Sequence, residues 1–263
     1  MNRYLAGKTV LITGASSGLG ESLAHACAEE KAHLVLIARN LEKLEELAGR
    51  IEASYEVNVS VYKADLTEFA NLDALSKKIL DAHDVDVLIN NAGFGLFETA
   101  LDTPFETVKA MFETNVLGLI KLTQLFLPTM LAKHSGHVIN IASQAAKIAT
   151  PKSSAYAGTK FAVLGYSNAL RMELSGTGVH VTTINPGPMK TQFFDIADRS
   201  GEYLENVGFF ALKPEKVATK TVRIIGKPRR EVNLPLLMNI GTRVYQVIPS
   251  VIEFFGKSAF MKK

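Results

Sequence analysis

Short, continuous apolar runs alternate along the chain with longer stretches in which apolar residues recur every three or four positions. The runs Thr9–Thr13 and Leu34–Ala38 contain almost no polar residue, which is typical of parallel strands that are covered on both faces. The same pattern predicts four further strands, at Val57–Tyr62, Val85–Asn90, His137–Ala142 and Val179–Ile184.

The stretches between these runs have the spacing of amphipathic helices. They predict helices at Gly18–Glu29, Leu41–Ser54, Asn71–Ala82, Phe105–Lys133 and Ser154–Ser175. Pro104 precedes the fourth of these helices, and Pro128 is expected to kink it. Because strands and helices alternate with short links, we predict an α/β fold with a doubly wound, Rossmann-like parallel sheet and right-handed crossovers. Residues 1–263 are expected to form a single domain with helices on both faces of the sheet.

After Pro186 the pattern becomes less regular. The segment Thr191–Glu205 is polar, and we interpret residues 191–212 as a lid over a substrate. A helix is predicted at Pro214–Ile225 and a strand at Arg230–Leu234.

Residues 236–263 are predicted to form an amphipathic, basic tail. Its apolar positions at helical spacing are Leu237, Ile240, Val244, Ile248, Val251 and Phe255, with Asn239, Arg243, Gln246, Ser250 and Glu253 opposite. Pro249 should kink this helix. Packing against the core or against another subunit is the favoured interpretation, and docking on a membrane surface is the alternative.

The charge of the chain is small overall but uneven. The formal net charge is +3, yet the segment from Phe209 onwards carries eleven Lys and Arg against three acids. Such a segment could contact an anionic surface or simply present a solvated basic face. We expect no nucleic-acid partner.

Cysteine and histidine usage argues against metal and disulfide chemistry. Cys27 is the single cysteine, which excludes an internal disulfide framework and a thiol metal site. His134 and His137 are separated by a helix-to-strand turn and are not expected to share a face, so no metal site is predicted. The first seven residues contain no apolar signal-peptide core, and no uncharged apolar run approaches the ~18 residues of a membrane span. These patterns predict a cytoplasmic protein.

A glycine-rich turn follows the first predicted strand. The residues Thr13–Gly20 read TGASSGLG, with Gly14, Gly18 and Gly20 at the spacing of a nucleotide-binding turn. Glycine allows the backbone to turn tightly, and the free N–H groups at the start of the following helix favour an anion. A plain turn between a strand and a helix is the alternative. We expect Ser16, Ser17 and Leu19 to contact the cofactor together with the three glycines.

The end of the second strand bears on the choice of cofactor. An acid at this point usually binds the ribose 2′-hydroxyl of NAD, whereas an arginine suits the 2′-phosphate of NADP. This chain has Ala38 followed by Arg39, which predicts NADP(H). A surface arginine without this role is the alternative.

A tyrosine and a lysine are candidates for acid–base chemistry. Tyr156 and Lys160 are four residues apart on a predicted helix, so their side chains share one face. A lysine ammonium beside a phenol favours the phenolate and suits the tyrosine for proton transfer near neutral pH. A second pair with this spacing, Tyr4 and Lys8, precedes the first strand and is interpreted as chance.

With these motifs in order, the chain from about Lys8 to Thr191 resembles a short-chain dehydrogenase/reductase. TGASSGLG resembles the family's TGxxxGxG turn, and Asn90–Gly93 reads NNAG. The resemblance implies contacts to the cofactor from Asp65, Leu66, Asn91, Ala92, Gly93, Pro186, Gly187, Met189 and Thr191, as well as from Tyr156 and Lys160. It also implies a catalytic set of Asn115, Ser143, Tyr156 and Lys160. Ser153 and Ser154 also precede Tyr156, but Ser143 is preferred because it follows a strand at the ligand-binding edge of such sheets.

The resemblance implies hydride transfer between a nicotinamide and a carbonyl or secondary alcohol, with reduction of a hydrophobic carbonyl as the expected direction. Tyr156 would exchange the proton, Lys160 would assist it and bind the nicotinamide ribose, Ser143 would donate to the substrate oxygen, and Asn115 would hold a water. Candidate substrate contacts, besides Ser143 and Tyr156, are Phe94, Leu96, Gln144, Met189, Phe193 and Phe194. The family also implies a homodimer or homotetramer. The alternatives are another enzyme on the same fold, such as an epimerase or dehydratase, and a non-catalytic NADP(H) sensor or scaffold.

Overall fold

Seven strands form one parallel sheet in the computed structural model, which describes residues 2–198 and 211–254. The strands are β1 (Thr9–Thr13), β2 (His33–Ala38), β3 (Val59–Lys63), β4 (Val85–Asn90), β5 (Gly136–Ile141), β6 (Val179–Pro186) and β7 (Glu231–Leu234). Their order in the sheet is β3-β2-β1-β4-β5-β6-β7. The predicted doubly wound parallel sheet is therefore confirmed.

The helices follow the predicted alternation with small shifts at their ends. They are α1 (Gly18–Glu29), α2 (Leu41–Ser54), α3 (Phe69–Ala82), α4 (Phe105–Phe112), α5 (Leu119–Ala132), α6 (Ser154–Glu173), α7 (Phe193–Ala197), α8 (Pro214–Val222) and α9 (Leu236–Val247). The strand predicted from Val57 begins at Val59, because the Val57 N–H donates to Tyr55 O in a turn. The helix predicted to reach Ile225 ends at Val222, because the next residues form hydrogen-bonded turns.

The stretch predicted as one helix from Phe105 to Lys133 contains a wider turn. Residues Glu113–Gly118 are π-helical and join α4 to α5, and the helix continues through Pro128. This joined helix, Phe105–Ala132, is long and apolar enough by composition to cross a bilayer. Since Leu122, Phe126 and Met130 pack in the core on one face of the sheet, we interpret it as a core helix.

Hydrophobic layers cover both faces of the sheet. Along β1, Val10 and Ile12 belong to one core cluster and Leu11 to the other, as the alternation of side chains along a strand requires. The first cluster includes buried residues of α1, α2 and α8, and the second includes those of α3, α5 and α6. Helices on both faces are thus confirmed.

The strand order reverses between β1 and β4. The chain runs outwards from β1 to β3 on one side and then crosses back to place β4 beside β1. In open parallel sheets a crevice opens at such a switch point, outside the carboxyl ends of the strands, and ligands bind there. The turns that follow β1 and β4 therefore face each other at the edge where the site is expected.

The tail is helical, as predicted, over the part that the structure describes. Helix α9 ends at Val247, Ile248 is its C-cap residue before Pro249, and residues 249–254 are again helical. Of the two favoured interpretations of its apolar positions, packing in the core of this chain is wrong, since Leu237, Ile240 and Val244 are exposed, and packing against another subunit stays a prediction. Part of the segment interpreted as a lid, residues 199–210, lies outside the described residues. So does the end of the tail, from Phe255 to Lys263.

Candidate active site

A cavity of about 970 Å³ lies at the carboxyl edge of the sheet. Most of the candidate site residues line it: Gly14, Ser16, Ser17, Gly18, Leu19, Arg39, Asp65, Leu66, Asn91, Ala92, Gly93, Phe94, Ser143, Gln144, Tyr156, Lys160, Pro186, Gly187, Met189, Thr191, Phe193 and Phe194. Gly20, Leu96 and Asn115 are not among its lining residues. The structure therefore brings residues from seven separate segments into one space.

The glycine-rich turn is fixed by the end of β4. Gly14 has a φ of +64°, which favours glycine, and a Cβ there would lie 2.8 Å from the Cα of Ala92. A Cβ on Gly20 would lie 2.1 Å from Gly14 O, so helix α1 approaches the turn too closely for any side chain. The Asn91 side-chain amide donates to Thr13 O at 2.9 Å and to Gly14 O at 3.2 Å. Asn91 and Gly20 thus hold the turn in place, and Gly20 acts by packing.

The start of helix α1 is suited to bind an anion. Ser17 is the N-cap residue, and within the described residues its side chain makes no capping hydrogen bond. The N–H groups of the first helical turn have no partner within the helix, and they carry the positive end of the helix dipole. A diphosphate placed against Ser17 and Gly18 would accept hydrogen bonds from these groups.

The ends of β2 and β3 form the far end of the cavity. Arg39 lines this end, and so does Lys63, which is paired in register with Ala38. Lys63 was not predicted as a site residue, although the predicted strand pattern places a cation there, at the end of a strand next to Arg39. Asp65 Oδ1 accepts hydrogen bonds from Thr67 N at 3.0 Å and from Thr67 Oγ1 at 2.8 Å. Burial alone would raise the pKa of Asp65, but these hydrogen bonds and the charge of Arg39 lower it below its usual value.

Tyr156 and Lys160 lie in the interior half of the cavity, both on α6 and both buried. The Lys160 ammonium lies 5.7 Å from the centroid of the Tyr156 ring. It donates to Ile141 O, the last carbonyl of β5, at 3.0 Å. Burial lowers the pKa of Lys160 to about 8, because a charged ammonium is poorly solvated there.

Ser143 follows β5 and faces the same space. Its backbone is extended, and its Oγ accepts a hydrogen bond from Ala145 N at 3.0 Å. Because this bond uses an oxygen lone pair, the hydroxyl proton can be donated to a substrate oxygen. The competing candidate Ser153 donates its hydroxyl to Thr150 O at 2.7 Å, which favours Ser143 for this role.

Asn115 lies in the π-helical turn, behind the cavity wall. Its Oδ1 accepts from Phe94 N at 2.9 Å, and its Nδ2 donates to Phe94 O at 2.8 Å and to Thr159 Oγ1 at 3.1 Å. A Cβ on Gly93 would lie 2.9 Å from Asn115 Oδ1 and 3.6 Å from Lys160 Nζ. The side chain of Asn115 thus positions the backbone beside Lys160, and its expected contact with a water stays a prediction.

Gln144 lines the cavity, but its amide is used within the protein. Its Nε2 donates to Asn185 O at 2.9 Å and lies 3.4 Å from Leu234 O, and its Oε1 accepts from Thr242 Oγ1 at 3.3 Å. These bonds connect the segment after Ser143 to β6, β7 and α9. The contact of Gln144 with a substrate stays a prediction.

Apolar side chains surround the phenol of Tyr156. The rings of Phe97 and Phe193 each have centroids 5.6 Å from that of Tyr156, and Leu96 packs in the same cluster. Phe97 and Met238 also line the cavity, although neither was predicted as a site residue. Phe97 directly follows the predicted contact Leu96, but no motif or spacing in the sequence marks it. Met238 comes from the tail helix α9, far from the motifs in sequence.

Comparisons with known proteins agree with this geometry. A family model for short chain dehydrogenase matches residues 8–200. The chain is 36% identical over 192 residues to the NADP-dependent 3-hydroxy acid dehydrogenase of Schizosaccharomyces pombe, an alignment covering 72% of this chain and 74% of that protein. It is 35% identical over 270 residues to dehydrogenase/reductase SDR family member 7B of Xenopus laevis, covering 99% and 84%. The L-sorbose reductase structure of Gluconobacter frateurii, complexed with NADPH and L-sorbose, superposes with a TM-score of 0.79 at 28% identity, covering 90% and 99%.

Proposed function

The chain belongs to the short-chain dehydrogenase family, and we propose that it is an NADP(H)-dependent oxidoreductase that reduces an apolar carbonyl compound to an alcohol. The observation that carries this proposal is the placement of Tyr156 and Lys160 in one cavity with the glycine-rich turn. An acid–base pair and an anion-binding site in the same cavity are suited to a redox cofactor that carries phosphate groups. They are also suited to a substrate whose oxygen gains or loses a proton.

The cavity fits a nicotinamide dinucleotide. Its volume of about 970 Å³ is at the upper end of the usual range for ligand pockets, ~300–1,000 Å³. The start of α1 lies where a diphosphate is needed, Asp65 lines the far end, and Lys160 lines the interior half. When it is bound there, the cofactor supplies or takes up the hydride.

The residues of this chain handle the proton and the developing charge. In reduction, the Tyr156 hydroxyl protonates the substrate oxygen as it gains negative charge, and the Ser143 hydroxyl donates a second hydrogen bond to that oxygen. The Lys160 ammonium, held by Ile141 O, places a positive charge 5.7 Å from the Tyr156 ring and favours proton release from it. Phe97 and Phe193 exclude water from this side of the phenol.

Two cations, and the lack of an acid at the end of β2, favour NADP(H) over NAD(H). Ala38 stands where an acid would bind the ribose 2′-hydroxyl, and Arg39 and Lys63 line the cavity on either side. The 2′-phosphate carries about two negative charges, which a guanidinium can bind through two parallel hydrogen bonds. The names of the fission-yeast relative and the sorbose reductase complex mention NADP or NADPH, which supports the same choice.

The apolar side chains packed around Tyr156 favour an apolar substrate. Phe94, Phe97, Phe193 and Met238 present mainly carbon atoms to the space beside Tyr156. A polyhydroxylated substrate needs several polar side chains to replace its hydrogen bonds to water. We therefore infer that an apolar ketone or aldehyde binds better than a sugar.

We also infer that the chain forms a homo-oligomer through α4, α5 and α6. Phe105 on α4, Leu117 in the π-helical turn between α4 and α5, and Phe161 and Met172 on α6 are exposed, and exposed large apolar side chains on long helices are typical of subunit interfaces. Sedimentation velocity at several protein concentrations tests this, and a monomer at every concentration would contradict it.

A substrate screen tests the proposed activity. Purified protein is mixed with NADPH and a panel of aromatic ketones, aliphatic aldehydes, steroid ketones and 3-ketoacyl derivatives, with a sugar ketone as the polar member. We expect NADPH consumption with apolar members, slowed at least about a hundredfold in Tyr156→Phe. Tight binding of NADPH without consumption across the whole panel would instead indicate a sensor or scaffold.

A further inference from the structure

Helix α9 presents its apolar face to solvent. Leu236, Leu237, Ile240, Val244 and Val247 recur at helical spacing, and each is between 43% and 80% exposed. A helix on the surface of a soluble domain normally turns such a stripe towards the core. Helix α9 instead turns its apolar stripe towards solvent.

The opposite side of α9 is the side fixed to the protein. Thr242 is the buried residue of this helix, and its hydroxyl donates to Gln144 Oε1 at 3.3 Å. Met238, one turn earlier on the same side, lines the cavity. The helix is therefore held in place by Thr242 and Met238. These contacts fix the direction in which its apolar face points.

The exposed stripe continues past the break in the helix. Residues 249–254 are helical again, and Val251 and Phe254 are 49% and 78% exposed. Together with Ile248, this gives eight large apolar side chains exposed over nineteen consecutive residues. An apolar surface of this length in a soluble protein normally has a binding partner.

We infer that this face, the residues of 236–254 that are apolar and exposed, binds the surface of an anionic lipid bilayer. The charge of the surrounding segment complements such a surface. Residues 211–254 contain eight Lys and Arg against three acids, and the seven cations between Lys213 and Arg230 are exposed. Lys257, Lys262 and Lys263 follow in the sequence without a further acid. An apolar helix face next to basic residues is the combination that binds anionic membranes peripherally.

A second copy of the chain suits this face less well. In a two-fold symmetric contact the same surface meets itself, so the basic segment of one subunit would lie near that of the other. Like charges at such a distance oppose association, whereas anionic headgroups neutralise them. Charge therefore favours the bilayer over self-association at α9.

Vesicle binding tests the inference without depending on the enzyme's activity. The full chain is incubated with vesicles of phosphatidylcholine alone or of phosphatidylcholine with phosphatidylglycerol, and the bound fraction is measured by flotation. We expect binding to the vesicles containing phosphatidylglycerol and much weaker binding to the neutral ones. In about 1 M salt, where the Debye length falls to about 3 Å, the difference between the two should largely disappear.

Matched variants locate the contact on α9. The double variant Leu237→Ser/Ile240→Ser should weaken binding about tenfold or more, because it removes apolar area from the stripe. The change Arg243→Gln should weaken it about fivefold through the loss of one cation. The control double variant Gln246→Ser/Ser250→Asn changes polar positions of the same segment and should bind as the wild type does. NADPH turnover with a water-soluble carbonyl should be unchanged in all three.

Three outcomes would overturn the inference. One is equal or absent binding of the wild type to both kinds of vesicle. Another is unchanged binding by Leu237→Ser/Ile240→Ser. The third is a wild-type oligomer in sedimentation velocity that this double variant, but not the control, dissociates, since a second copy would then cover the face. Failure of the substrate screen would leave each of these results unaffected.

Discussion

The side-chain amide of Asn115 pairs with both backbone polar groups of Phe94, accepting from its N–H at 2.9 Å and donating to its carbonyl at 2.8 Å. This contact joins the π-helical turn to the segment after β4, directly beside Lys160. Single π-helical turns inside α-helices are frequent at functional sites, because they redirect one side chain without ending the helix. Here the redirected side chain is that of Asn115, and it holds the backbone of Phe94 in the cavity wall.

Replacing Asn115 should therefore cost both stability and turnover. Asn115→Leu leaves the N–H and C=O of Phe94 without these partners, at a cost of about 2–3 kcal/mol in the free energy of unfolding. Asn115→Asp keeps an acceptor for the Phe94 N–H and should lose less. Urea unfolding of the two variants measures the first effect, and kcat the second. An Asn115→Leu protein as stable as the wild type would contradict this role for the pair.

The order of strands and helices, and most of the cavity lining, were predictable because they depend on local signals. Apolar runs mark the buried strands, and a parallel sheet brings the ends of distant strands together at one edge. Gly14, Asn91, Ser143 and Tyr156 meet for this reason. The pattern of apolar residues is enough to predict the fold, and the position of the site follows from the fold.

Contacts from irregular segments were not predictable in the same way. Phe97 has no motif around it, and Met238 reaches the cavity from a helix 78 residues after Lys160. The orientation of α9 was left open for the same reason, because an amphipathic pattern shows that a helix has an apolar face and a polar face but not which of the two packs against the protein. That choice depends on Thr242 and Gln144, a tertiary contact.

The Tyr156 hydroxyl is expected to be essential for turnover. Tyr156→Phe keeps the ring between Phe97 and Phe193 but removes the proton that the mechanism transfers. We expect kcat to fall about 10²- to 10⁴-fold, while the Kd for NADPH and the thermal midpoint change little. Steady-state kinetics together with fluorescence titration of NADPH separate the two effects. A residual kcat near that of the wild type would exclude Tyr156 as the proton donor.

Cofactor choice should depend on Arg39 and Lys63. Arg39→Ser removes a charged hydrogen-bond donor from the 2′-phosphate and should raise KM for NADPH about ten- to a hundredfold, with little effect on KM for NADH. Lys63→Ser should act in the same direction but more weakly, since a lysine binds a phosphate as a point charge. Lys77→Ser, an exposed change on α3, is the control. Equal effects of Arg39→Ser on both cofactors would argue against a 2′-phosphate contact.

The ion pair of Lys147 and Glu231 should stabilise the segment after Ser143. Their charged atoms are 2.6 Å apart, and both side chains are largely buried. Burial alone would raise the pKa of Glu231, but the hydrogen bond and charge of Lys147, with Asn233 and Arg230, lower it overall. The pair therefore contributes stability above pH ~4.5 that is lost as the pH falls through the lowered pKa.

Glu231→Gln should reduce the free energy of unfolding by about 2 kcal/mol at pH 7, because it leaves the Lys147 ammonium largely buried without its anion. The difference from the wild type should shrink as the pH falls below the usual pKa of a glutamate. Urea unfolding at a series of pH values measures both trends. The paired variant Lys147→Met/Glu231→Leu should recover most of the loss, and a difference that does not change with pH would contradict the charge as its cause.

The buried ammonium of Lys160 should cost stability at neutral pH. Burial lowers its pKa from 10.5 to about 8, a change worth on the order of 3 kcal/mol. Between these two values the unfolded chain binds more protons than the folded one, so the stability of the wild type rises with pH across this window. Below pH 8 the full penalty is present. Lys160→Met should therefore be more stable than the wild type at pH 7, even though it loses the hydrogen bond to Ile141 O and all activity.

The gain from Lys160→Met should disappear between pH 8 and 10.5, because the wild type then folds with a neutral amine. Urea unfolding of both proteins at pH 7, 8.5 and 10 measures the trend, with the exposed change Lys77→Met on α3 as the control that should show no such dependence. A constant difference across this range would mean that packing, and not the desolvated charge, sets the effect. A gain at pH 7 that fades with rising pH would show that the folded protein buries a poorly solvated positive charge beside Tyr156. A lysine with a purely structural role would have no reason to carry this cost in stability.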